Sequence, residues 1–260
     1  MKKILTLTVI AASLVSGASM AVTPTGNNFN DTENILARSA QHTNIEYDIM
    51  VQRATQAAIY YMSAVAQVDF IKANIRVGGD YDTVNFVSKP FGSNKALLTA
   101  NDTTAYAWGS ITVKNGAMVV VVPPMTDKID YFGSFISAWH VPMIDVGSLG
   151  ADEGKGGKYL FLPPDYDGKH GTAAELEAQG YIIVPHLDTH DISFAFRPTL
   201  LNGATHADAG EHAKGLKVYS LEEAVQGKIE PTEYMDLTDK DYDLSLIHIS
   251  EPTRPTRASR

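Results

Sequence analysis

Apolar residues recur at three- and four-residue steps through Ile49, Met50, Ala54, Ala57, Ala58, Tyr61, Met62 and Val65. That spacing lines one face of an α-helix. A long helix over 45–67 is expected, preceded by a shorter one near 32–40, with the Tyr and Met residues of the stripe read as core positions. Beyond Gly78 and Gly79 the texture changes to short runs of strand type separated by turn formers. Strands are expected over 84–88, 105–114, 117–122, 129–139, 158–162, 181–184, 192–196 and 216–219. Asn115-Gly116 between the second and third run is a strong hairpin signal, and Pro123-Pro124 stops the third. A short helix is expected over 172–179. Ser220 with Glu223 three residues on has the spacing of a capping box that opens another at 221–225. No internal repeat and no regular alternation of strand and helix is present. The pattern therefore points to an α+β chain, mainly β, built as an antiparallel β-sandwich packed against N-terminal helices.

The two ends read differently from the middle. Lys2 and Lys3 precede an apolar stretch over 4–15, and Ser19-Met20-Ala21 places small residues where a signal peptidase reads. The stretch is too short to cross about 30 Å of hydrocarbon, which takes roughly 20 residues. Residues 1–21 are thus read as a signal peptide. Residues 22–44 form a polar entry segment with the short helix, and 45–243 a single helix-plus-sandwich domain. A periplasmic or secreted location follows, with no membrane insertion after cleavage. At the other end, Leu244 to Arg254 resembles, residue for residue, the translation of a transposase-type sequencing-library adapter. Residues 244–260 are accordingly read as a non-biological tail.

The chain carries 21 Lys and Arg against 30 Asp and Glu. Setting aside two Lys in the signal, and three Arg and one Glu in the tail, leaves 16 against 29, a net charge of −13. Such a surface repels phosphate backbones, so nucleic acid is excluded as a partner. There is no cysteine, which removes both a lipoprotein anchor and disulfide staples.

Candidate chemistry is sparse. The Gly-rich stretch over 147–157 lacks P-loop spacing and contains Asp152 and Glu153, which repel phosphate; it is read as a mobile surface loop, with a lid as the secondary reading. In an extended segment His186, Asp188 and His190 share a face, as metal ligands do. Two of these ligands would need a third from elsewhere, from His140 or Asp145, and a polar loop is the competing reading, so no metal and no cofactor is expected. Asp165-Tyr166-Asp167-Gly168 lacks the length of a calcium loop, and no Gly-x-Ser-x-Gly elbow occurs.

The segment from Asn101 through Asp102, Thr103 and Tyr106 to Trp108 is a loop running into a strand, with Tyr106 and Trp108 on one face. Together with Tyr131, Phe132, Phe135 and Trp139, then Gly154, Gly156, Gly157, Tyr159, Leu160 and Pro163, and finally Arg197 and Thr199, it resembles the bacterial domain-of-unknown-function family 1254. The chain departs from that pattern where Asn101 and Asp102 are adjacent and where Phe196 replaces a glycine, and the string over 186–191 is foreign to it. The resemblance implies a β-sandwich, often followed by a second family domain numbered 1214, which this chain does not display, and no settled activity. The expected site gathers Asn101, Asp102, Thr103, Tyr106, Trp108, Tyr131, Phe135, Trp139 and Arg197 around a small organic ligand. A periplasmic hydrolase using Asp102 or His140 as general base is the alternative, and a structural assembly module the third reading.

Overall fold

The computed structural model describes residues 45–92, 103–185 and 188–240. What was expected of residues 1–44 and 244–260 lies outside them. Two compact units are distinguished, divided between Val65 and Ala66.

In the first unit, helix α1 (Ile45–Tyr60) buries none of its side chains. Ile49 and Met50 are about half exposed, as are Tyr61 and Met62 beyond it. This corrects the core role assigned to that stripe: a helical period shows that a face exists, and says nothing of what covers it. The helical bonding continues past α1, since Tyr61 N–H donates to Ala57 O and Val65 N–H to Tyr61 O, both at 2.9 Å. Helix α2 (Met62–Arg76) carries the run nine residues beyond the expected end at Gln67. Gly78, with a left-handed φ of 96°, then turns the chain.

The second unit holds two sheets. The larger has the order β10-β1-β2-β8-β4-β5, where β1 is Val84–Phe86, β2 Ala107–Thr112, β4 Ile129–Ser137, β5 Pro142–Val146, β8 Asp191–Leu200 and β10 Tyr234–Asp236. The smaller has the order β7-β6-β3-β9, with β3 Met118–Val122, β6 Gly157–Phe161, β7 Tyr181–Ile183 and β9 Lys217–Ser220. β1 pairs in parallel with β10, and β6 with β7, so both sheets are mixed and the fully antiparallel expectation is corrected. The hairpin expected at Asn115-Gly116 is also corrected. β2 and β3 belong to different sheets, and the turn there carries the chain from one layer of the sandwich to the other.

Alternation along the strands builds the layers. Phe135 on β4 and Phe194 and Phe196 on β8 point inward, where they meet Tyr159 and Phe161 of β6. The Phe135 ring lies 4.8 Å from Phe161 and 5.1 Å from Tyr159, centroid to centroid, which locks one sheet onto the other. The far side of the smaller sheet is covered through Leu176 of α3 (Ala173–Ala178) and Leu221 of α5 (Leu221–Gln226). Both helices open with capping boxes, the one expected at Ser220–Glu223 and a second at Thr172–Glu175. Helix α4 (His206–Ala213) packs Ala209 against Ala105 and Ile129.

The described residues cover the far side of the larger sheet only in part. Phe70, Ala73 and Val77, from α2 and the residue after it, pack with Val87, Trp108 and Leu237. Beside that apolar patch lies a buried polar seam: Gln67 Nε2 donates to Ser193 Oγ at 2.6 Å, and Ser193 Oγ lies 2.8 Å from Ser110 Oγ.

Candidate functional site

The strand register sorts the expected site residues between two faces. On β4 and β8 the pairs Phe132↔Arg197, Ser134↔Ala195 and Ile136↔Ser193 point outward, while Tyr131, Phe135, Phe194 and Phe196 point inward. Phe135 is fully buried and Tyr131 nearly so. Among the described residues the Tyr131 hydroxyl has no hydrogen-bond partner, and burial pushes its pKa well up. Both rings serve the core. Trp108 is on the outward face but 5% exposed, sealed beneath α2. The aromatic pocket expected to unite Tyr106, Trp108, Tyr131 and Phe135 is therefore not formed by these four rings, because the pleat separates them.

Tyr106 and Arg197 do come together. The Arg197 guanidinium carbon sits 5.5 Å from the centre of the Tyr106 ring, and Phe91 flanks that ring at 5.8 Å. Phe132, the direct cross-strand neighbour of Arg197, is 59% exposed. Between them and Ile136 runs a shallow groove of about 280 Å³, lined by Phe132, Gly133, Ser134, Ile136, Ala195 and Arg197. Gly133 shapes it from behind: a Cβ there would come within 2.5 Å of Ala195 O. The ion pairs among the described residues do not include Arg197. At the groove's flank, Ser134 Oγ donates to Asp145 Oδ1 at 2.5 Å.

Other expected residues stand elsewhere. Thr103 is exposed in the bend before β2, and Asn101 and Asp102 lie outside the described residues. Trp139 is half-buried and His140 exposed in the turn joining β4 to β5, where His140 has a φ of 59°. Partial desolvation of the ring lowers the His140 pKa, favouring its neutral form. Asp188 and His190 are exposed just before β8, and His186 is outside the described residues. Among the described residues no three His, Cys, Asp or Glu side chains converge as a metal site would require.

The Gly-rich loop lies at the surface, as its composition led us to expect, with Leu149 87% exposed, and it is built around one buried side chain. Asp152 is buried within it: Oδ1 accepts from Gly147 N–H and Tyr159 O–H, both at 2.8 Å, and Oδ2 accepts from Gly156 N–H at 3.1 Å. Gly147 and Gly156 adopt positive φ and approach backbone too closely for any Cβ. The glycines are there to fold the chain around one carboxylate.

A family model described as a protein of unknown function, DUF1254, matches residues 82–220. The chain belongs to the DUF1254 family. The match runs from just before β1 to the end of β9, so it includes the smaller sheet, all of the larger sheet except β10, the Gly-rich loop and the groove. No curated protein matches the chain. Among solved structures, the VPA0106 protein from Vibrio parahaemolyticus is similar at 20% identity and a TM-score of 0.49. That alignment covers 68% of this chain and 40% of the other, so the aligned part spans less than half of the Vibrio protein.

Phe132, Ser134, Ile136, Ala195 and Asp145 are site residues that the sequence pattern did not single out as a group. The available signal was parity: once Tyr131 and Phe135 are assigned inward, 132, 134 and 136 must face out.

Proposed function

We propose that this DUF1254 protein, acting outside the cytoplasm, binds a small organic anion on the outward face of its larger sheet. Arg197 takes the anionic group and Phe132 the apolar body. One observation carries the reading: a guanidinium with no carboxylate partner among the described residues stands beside a largely exposed phenyl ring, over a groove floored by small and hydroxylated residues. An unpaired arginine presents a planar fork of donors suited to a carboxylate. Its stacking on Tyr106 holds the fork in place. The groove is at the small end of ligand sites, which favours a compact ligand.

The test is calorimetric titration with 3-phenylpropionate on the wild type and on Arg197→Gln and Phe132→Ala proteins. Saturable binding that weakens at least tenfold in each variant, with melting temperatures within roughly 4 °C of the wild type, supports the reading. Binding of equal strength in all three proteins, or none in the wild type, removes it.

A further inference from the structure

We infer that Asn115 is a site of spontaneous covalent modification, in which its side-chain amide closes onto the Gly116 nitrogen and is lost as ammonia. The chain has two Asn-Gly pairs, Asn115-Gly116 and Asn202-Gly203. Each sits in a turn with its asparagine exposed. A following residue without a Cβ leaves the attacking nitrogen uncrowded, and a Cβ at either glycine would meet nothing within 4 Å. Crowding therefore does not separate the two pairs; the asparagines do. Asn202 is held, with a left-handed φ of 48° and with Nδ2 donating to Asp127 O at 2.6 Å. Turning its Cγ onto the Gly203 nitrogen would break that bond. Asn115 is under neither restraint among the described residues: its φ is not left-handed, and no hydrogen bond holds its amide. The attacking group, Gly116 N–H, is engaged by Val113 O at 3.3 Å, a long and weak bond. Water is the one outside reactant. The Gly116 nitrogen bonds to Asn115 Cγ, the Cγ–Nδ2 bond breaks, and the departing nitrogen takes the Gly116 proton and leaves as ammonia. Water then opens the cyclic imide at Cγ to give aspartate, or at the main-chain carbonyl to give isoaspartate. Either product adds a negative charge beside Lys114, and isoaspartate also lengthens the backbone that joins the two sheets. That connection is pinned on both sides, by Val113 N–H to His190 O and Leu221 N–H to Ala117 O, each at 2.8 Å. The added length falls in the turn over 114–116.

The experiment ages the full chain at pH 8 and at pH 6, folded and in urea, and maps both sites by peptide mass spectrometry. In the folded protein Asn115 should convert about tenfold or more faster than Asn202, as one hydrogen bond and a constrained backbone add to the barrier at the second site. Conversion should be faster at pH 8, where the Gly116 nitrogen loses its proton more readily, and isoaspartate should appear among the products. In urea, with the fold removed, the two sites should convert at similar rates. Equal rates at the two sites in the folded protein, or faster conversion of Asn202, overturns the inference. So does an Asn115 that stays intact while folded and converts in urea, because the turn would then protect it. A difference of the same size in urea would trace the contrast to neighbouring residues, and overturns the role given to the Asp127 bond.

Discussion

The two faces of strand β8 make opposite demands on adjacent residues. Inward, Phe194 and Phe196 stack at 5.1 Å and meet Phe135, and all three are fully buried. Outward, Ala195 and Arg197 are exposed, and Ser193 is buried only because Gln67 of α2 covers it. The inner face carries shape and apolar area, and tolerates no loss. The outer face carries hydrogen bonding and charge, and half of it is open among the described residues. A site can be built there because the fold does not depend on it.

The sharpest way to break this contrast is to truncate on the inner face. Phe135→Ala removes a fully buried ring that four other aromatic rings contact. It should destabilise by about 3–5 kcal/mol, the range for buried Phe→Ala. Urea unfolding reads this directly. A loss below about 1 kcal/mol would mean that the two sheets are not held through this ring.

Next in size is Asp152→Asn. The amide oxygen can still accept from Gly147 and Tyr159, but the NH₂ group would face the Gly156 N–H, donor against donor. Losing a charged acceptor and leaving a buried donor unpaired should cost about 2–3 kcal/mol. An unchanged denaturation midpoint would show that the loop is held by its backbone turns alone.

A third prediction reverses sign. Asp82 has a φ of 70°, and its Oδ1 is buried with no hydrogen-bond partner among the described residues. Burial, with Asp80 and Glu223 adding repulsion, pushes its pKa up to about 6. A folded pKa above the unfolded value means that ionisation opposes folding. The penalty is absent below pH 4, grows between pH 4 and 6, and is complete above. Asparagine accepts the left-handed backbone and carries no charge. Asp82→Asn should therefore stabilise the protein by about 1–2 kcal/mol at pH 7–8, after allowance for partial solvent screening, and by nearly nothing at pH 4. A gain that does not vary with pH would place its origin elsewhere.

These residues also show what the chain alone could disclose. The alternation in β2, β4 and β8 and the boxes at Thr172 and Ser220 are local signals, and the corresponding elements appear where expected. β10 is three residues long and finds its partner β1 some 150 positions earlier, a pairing that no local pattern encodes. β5 begins with Pro142, a poor strand former acceptable at a sheet edge. Helix α4 contains Gly210 and two histidines, weak helix formers, although its Thr205–Asp208 capping box was available as a signal. For the site, Tyr131, Phe132 and Phe135 look alike as aromatic residues of one strand. Only the register assigns Phe132 to solvent and its neighbours to the core. Trp108 was read as open because its strand parity is correct, but the continuation of α2 beyond Gln67, which covers it, lay outside the apolar stripe that defined the helix.

The smallest effect sharpens the comparison most. Phe132→Ala and Phe135→Ala delete the same atoms from positions three residues apart on one strand. Phe132 is 59% exposed, so its removal returns little buried area to water, and its cross-strand neighbour Arg197 stacks on Tyr106 rather than on it. The expected cost is within about 0.5 kcal/mol, as for surface substitutions that touch no cap, core or buried polar group. Arg197→Gln forfeits an exposed cation–π contact and should cost about 0.5–1 kcal/mol. Neither should shift the melting temperature by more than roughly 2–4 °C for a domain of this size. The double variant should show the two costs adding or falling slightly short, because the two side chains are direct cross-strand neighbours. A loss of several kcal/mol from Phe132→Ala would show that something in the protein covers the ring. The outward face would then be part of the core rather than a place for a ligand.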